Sequence, residues 1–133
     1  MQHQGLLEVV RRDPRYAYEA YEFLFEALRH TQHRLNRVPP EDIDEAARGD
    51  YHVAGRELVD GYLDLAKQRF GRLARVVLHL WGVDITDDIG ELVFNLIESD
   101  LLSKTDSDCK SDFCGICDLD DVLVNRFEIA WER

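Results

Sequence analysis

Three cysteines fall within nine residues of this 133-residue chain, and their spacing is the first feature that could do chemistry. Cys109, Cys114 and Cys117 follow C-x4-C-x2-C. That pattern sets three thiolates on one tight turn, with Gly115 letting the backbone fold around an ion. It matches the first three ligands of a plant-type iron–sulfur cluster, which takes a fourth cysteine that this chain lacks. Zinc would accept the three sulfurs plus Asp108, Asp118, His52 or His79 to complete a tetrahedron. The competing reading is three reduced cysteines, two of them packed as small apolar side chains. An odd number crowded together makes no disulfide framework, so a reducing, cytoplasmic setting is expected.

Other constellations are weaker. Asp106-x-Asp108 begins like an EF-hand loop, but Lys110 falls where the third acidic ligand belongs. Ser111 replaces the turn glycine and Cys117 the bidentate glutamate, so the calcium motif fails. Glu26 and His30 lie four apart on one helical face, a spacing that permits acid–base work. Yet His30 and His33, with Arg29, Arg34 and Arg37, are equally explained as cations opposing a helix dipole. No nucleophile elbow, phosphate loop or paired-carboxylate set is present, and no enzyme is expected. A basic patch at Lys67, Arg69, Arg72 and Arg75, with Arg56 nearby, lies where no acid occurs from Leu65 to Val83. It offers a contact surface for an acidic partner.

The elements that must position these residues are mostly helices. A short helix is expected over about Gln4 to Arg12. Pro14 ends it and suits the first turn of a second helix, with Asp13 as the cap. Ala17, Ala20, Tyr21, Leu24, Ala27, Leu28, Thr31 and Leu35 give that second helix one stripe. Phe23 and Phe25 lie off the stripe, so more than one side should be covered. Asn36 to Tyr51 reads as a loop. A third helix runs from about Val53 to Arg69, with Gly71 closing it in the left-handed position. A fourth, Arg72 to Trp81, points Leu73, Val76, Val77, Leu80 and Trp81 inward. The fifth is capped by Asp88 with Glu91 three residues on, and buries Ile89, Leu92, Val93, Leu96 and Ile97. Leu101 to Thr105 looks extended, Phe113 to Ile116 could return as a second strand, and a last helix spans about Leu119 to Trp131.

The fold class expected is therefore mainly α, with a small β-hairpin near residues 101–116. It forms a single domain over 1–133: a helical core 14–98, an acidic cysteine-containing hairpin or loop 99–118, and a C-terminal helix 119–131. Three helices followed by a strand, a turn and a return is the order of a winged-helix unit, and an irregular bundle fits equally well.

Charge narrows the partners. The net charge is −11, and between Glu98 and Asp121 eight acids face only Lys104 and Lys110. So acidic a chain is repelled by nucleic acid and by anionic membranes unless a compact basic patch intervenes. The fifth helix, which would enter the DNA groove in a winged fold, carries Asp87, Asp88, Glu91 and Glu98 and neither Lys nor Arg. No apolar run reaches the roughly 18 residues a membrane helix needs.

Several strings also carry a family resemblance. His52-Val53-Ala54-Gly55-Arg56-Glu57-Leu58, Gln68-Arg69-Phe70-Gly71, Trp81-Gly82-Val83, Gly90-Glu91-Leu92-Val93-Phe94-Asn95-Leu96-Ile97-Glu98 and Leu101-Leu102-Ser103-Lys104-Thr105 are similar to a family of uncharacterised bacterial proteins typical of planctomycetes and verrucomicrobia. Phe23-Leu24-Phe25-Glu26-Ala27-Leu28 fits its opening segment. The likeness spans roughly Tyr16 to Thr105. It implies no activity, because the family is a domain of unknown function. Ala54 stands where a serine is usual, and the cysteines fall in a region that is charged and aromatic elsewhere. The resemblance thus assigns those cysteines to this member alone.

The expected function is a cytoplasmic protein–protein interaction or adaptor domain without catalysis, with a homodimer among its arrangements. The rivals are a winged-helix regulator associated with nucleic acid and a small zinc-binding protein using Cys109, Cys114 and Cys117.

Overall fold

In the computed structural model, residues 4–37, 53–102 and 110–125 are described. They form α1 (Gln4–Arg12), α2 (Tyr18–Arg34), α3 (Gly55–Phe70), α4 (Ala74–Leu80) and α5 (Thr86–Glu98). A 3-10 turn at Gly71–Leu73 joins α3 to α4. A second 3-10 turn (Lys110–Phe113) and a single π turn (Asp121–Asn125) follow α5. No helix among the described residues is long and apolar enough to cross a membrane.

The helix stripes explain most of the core. Ala20, Leu24, Ala27 and Thr31 recur at helical spacing on α2 and are buried, as that periodicity requires. Phe23, off the stripe, is buried too, so α2 is covered on more than one side. It packs edge-on to Tyr62 of α3, with ring centroids 5.0 Å apart, and sits 5.4 Å from Trp81 and 5.5 Å from Phe70. This aromatic cluster joins α2, α3 and the end of α4. Gly61 lets α2 and α3 approach closely, since a Cβ there would collide with the Thr31 hydroxyl.

The ends of the helices depart from expectation in instructive ways. Asp13 does not cap α2, which starts at Tyr18 rather than at Pro14. Its carboxylate is taken instead by Arg15 Nε (2.8 Å), Arg15 Nη2 (2.7 Å) and Asn95 Nδ2 of α5 (2.9 Å). The Ala17 N–H donates to the Trp81 carbonyl at 3.1 Å. At the start of α3, Ala54 offers no side-chain oxygen. Glu57 Oε1 accepts the Ala54 N–H at 2.9 Å and also holds Arg37 at 2.7 Å. Gly71 ends α3 at φ +56°, ψ −129°, outside the expected left-handed well and in a region open essentially to glycine alone. Asp88 marks the start of α5, but from its third position. The helix begins two residues earlier, and Asp88 Oδ2 accepts the Asp84 and Ile85 N–H groups.

Two larger corrections concern α4 and the expected hairpin. On α4 the inward face is Ala74 and Leu78, both fully buried, while Leu73, Val76 and Leu80 are 64%, 54% and 74% exposed. Trp81 is half-buried, as expected of its place in the aromatic cluster. Arg75 sets the rotation: its guanidinium reaches Asp84 at 3.1 Å and Asp120 at 2.7 Å, turning its side of the helix toward the protein.

Among the described residues there is no strand, so the hairpin near 101–116 and the wing built on it are not found there. Residues 103–109 lie outside the described part. Phe113, expected to open the return strand, instead ends a 3-10 turn and is buried, because its ring fits against Gly55 of α3 and Gly90 of α5. Of the last expected helix, Leu119 to Asn125 is described. Asp118 Oδ1 accepts the Asp120 and Asp121 N–H groups at 2.8 and 3.3 Å, and Leu119 and Leu123 are buried. Residues 126–131 of that expectation fall outside the described residues.

Candidate functional site

Two surfaces meet at Arg75. On one side lies a cleft of about 620 Å³ lined by Arg75, Asp84, Thr86, Asp87, Cys117 and Asp120 among others. Its polar groups are matched to structural partners. The Thr86 hydroxyl donates to the Phe113 carbonyl at 2.6 Å and accepts the Ile116 N–H at 3.2 Å. Asp87 Oδ1 accepts the Gly115 N–H at 3.1 Å. Asp84 pairs with His79 Nδ1 at 2.7 Å as well as with Arg75. The His79 hydrogen bond, helped by Arg75 and opposed by partial burial, holds the Asp84 carboxyl below the usual carboxylate range.

The cysteines contribute unequally here. Cys114 is exposed, Cys117 is half-buried in the cleft wall, and Cys109 lies outside the described residues. Among the described residues no group of three or more His, Cys, Asp or Glu side chains is arranged to hold a metal ion. The partners weighed for a zinc tetrahedron are dispersed: His79 is bound to Asp84, Asp118 caps the final turn, and His52 and Asp108 lie outside the described residues.

On the other side of Arg75 is the outward face of α4. Leu73, Val76 and Leu80 sit within a narrow arc of the helix and form one aliphatic strip. An isolated exposed leucine is ordinary, whereas three on one face of a seven-residue helix and its leading turn form a patch. Basic groups border it. Arg72 and His79 are exposed on the same helix-turn unit. Arg69 lies over the Phe23 ring at 5.9 Å and reaches Glu26 at 3.3 Å. Of the basic residues singled out in sequence, Arg69 and Arg75 are thus tied to acids. Arg56, Lys67 and Arg72 have no ion-pair partner among the described residues. Arg56 belongs to the first turn of α3, at the opposite end of that helix from Lys67 and Arg69, so the five do not form one patch.

The aliphatic strip is the feature that stripe counting misplaced. Its signal was present: the run from Leu73 to Trp81 is apolar nearly all round, and a helix of that kind at the surface of a small protein must leave one side uncovered.

No protein-family model, curated protein or solved structure matches this chain.

Proposed function

We propose that this protein is a non-catalytic protein-interaction domain whose docking surface is the outward face of α4. The observation that carries this reading is the exposure of Leu73, Val76 and Leu80 together on a helix whose opposite face is fully buried. A patch of this kind binds an apolar segment. The bordering Arg72, which has no ion-pair partner among the described residues, favours one that carries carboxylates, in keeping with the acidic partner expected from the sequence. The polar groups of the neighbouring cleft support a non-catalytic role: Thr86, Asp87 and the Arg75–Asp120 pair hold residues 110–120 against α4 and α5, Asp84 pairs with Arg75 and His79, and Asp118 caps its own turn.

The test is site-specific photocrosslinking in the native cell, with benzoylphenylalanine at Leu80 and, as control, at Glu19 on the exposed side of α2. A discrete intermolecular adduct from position 80 and none from position 19 is the expected result. Equal yields from both positions, or no intermolecular adduct from position 80, would remove α4 as the docking surface.

A further inference from the structure

We infer that Cys114 and Cys117 are the two halves of a reversible intrachain disulfide, which makes the turn between them a thiol-exchange site for small disulfides. The site is independent of the docking face of α4.

Spacing and local conformation come first. Cys114-Gly115-Ile116-Cys117 places two thiols three residues apart, and neither is in a disulfide. The chain turns at Cys114 and Gly115 and bends at Ile116, with Gly115 at φ +60°. Extended backbone would hold the two Cα atoms about 10 Å apart. A tight four-residue turn brings its ends within about 7 Å, and a disulfide takes Cα atoms about 4.4–6.8 Å apart.

The backbone between the sulfurs is also held from outside. Asp87 Oδ1 accepts the Gly115 N–H at 3.1 Å, and Thr86 Oγ1 accepts the Ile116 N–H at 3.2 Å. Phe113 on one side of the turn and Leu119 on the other are buried. Two thiols on a backbone fixed in this way react with each other as one unit, which favours an internal bond over two separate adducts.

Neither sulfur is sealed off. Cys114 is exposed, and its thiol donates to the Lys110 carbonyl at 3.6 Å, a weak bond that side-chain rotation gives up cheaply. Cys117 is half-buried in the wall of the cleft that Gly115 also lines. The exposed sulfur meets an incoming disulfide first, and the recessed one resolves the adduct. The Cys114 thiolate attacks one sulfur of a small disulfide, whose S–S bond breaks and releases one thiolate. The Cys117 thiolate then attacks the Cys114 sulfur and expels the second. Two protein thiols are oxidised, one small disulfide is reduced to two thiols, and the two protons pass to them through water. So short a loop gains little stability from cross-linking, which suits exchange rather than a permanent staple.

The experiment uses the full chain, dilute and oxygen-free, in glutathione buffers of rising disulfide fraction. Samples are quenched with acid, alkylated with N-ethylmaleimide, digested with trypsin and weighed. Trypsin cuts after Lys110, which separates Cys109 from the other two cysteines. Cys114 and Cys117 should lose their alkylation together, in a fragment lighter by two hydrogens, and excess reduced glutathione should restore it. Cys109→Ser should leave this unchanged, and Cys117→Ser should stop at a glutathione adduct on Cys114. In urea that unfolds the chain, the midpoint should move several-fold toward more oxidising buffers. An unchanged midpoint would show that the fold does not place the sulfurs. Thiols that stay alkylatable throughout, adducts on both sulfurs without an internal bond, a bond to Cys109, or a bond between two chains would each overturn the site. The mapping of the unaltered chain decides even where a variant fails to fold.

Discussion

The hydroxyl of Thr86 donates to the carbonyl of Phe113 at 2.6 Å, across 27 residues of sequence, and the same oxygen accepts the Ile116 N–H at 3.2 Å. Thr86 is buried, so neither backbone group has water as a ready substitute. Thr86→Val keeps the shape and removes both bonds. We expect a loss of about 1–3 kcal/mol, the cost of leaving buried polar groups unmatched, read as a lower urea midpoint. Cys117, held in the same segment, should react faster with a thiol reagent. Thr86→Ser should restore most of the stability, and an unchanged midpoint in Thr86→Val would show that this bond does not seat the segment.

Gly90 is the second half of that seat. In an exposed helix interior, glycine to alanine stabilises by roughly 0.5–1 kcal/mol. Here an added Cβ would lie 2.8 Å from both Cβ and Cγ of Phe113. Gly90→Ala should therefore destabilise, by about 1–3 kcal/mol as for other overpacked cores. In a Phe113→Ala background the same change should be neutral or favourable. A double-mutant cycle by chemical denaturation gives the coupling, and a coupling near zero would contradict the packing described.

How much of this was legible in the sequence depended on whether one stripe dominated. On α5 the residues Ile89, Leu92, Val93 and Leu96 left no ambiguity, and all four are buried. α1 likewise occupies the residues expected. On α4 two apolar stripes overlap, and the larger aliphatic set, Leu73, Val76 and Leu80, is the exposed one. The deciding forces were non-local: Asp84 and Asp120 pull Arg75 inward, and the 3-10 turn at Gly71–Leu73 sets the entry to the helix. Phe113 was misread for the same kind of reason, since its pocket is assembled from Gly55 and Gly90, glycines 58 and 23 residues away. The Asp13 cap failed because Arg15 and Asn95 compete for one carboxylate. The basic residues were visible as composition, but the pairing of Arg69 with Glu26 and of Arg75 with Asp84 and Asp120 was not.

Asp13 gives a pH signature. The Arg15 hydrogen bonds, with Asn95 adding to them and burial opposing, hold its carboxyl well below the ordinary range. A depressed folded value means the contribution is fully present above the unfolded pKa of about 3.9. It is lost as the pH falls below that value toward the folded one. Asp13→Asn should cost about 1–2 kcal/mol near neutrality, allowing for the partial exposure of Arg15. The stability gap between the two proteins should narrow only below about pH 4, the unfolded-state value. Urea titrations at several pH values test this; a gap that stays constant down to pH 2.5 would place the stabilisation elsewhere.

The orientation of α4 makes the sharpest mutational contrast, because Leu78 and Leu80 are two residues apart and face opposite ways. Leu78 is fully buried, and Leu78→Ala should cost about 2–5 kcal/mol through lost burial and the cavity left behind. Leu80 is mostly in water, and Leu80→Glu should change stability by no more than about 0.5 kcal/mol from loss of core packing. The glutamate also adds a carboxylate beside basic neighbours. Thermal denaturation of both variants distinguishes this rotation of the helix from the one that stripe counting favours, in which Leu80→Glu would be the damaging change and Leu78→Ala the mild one.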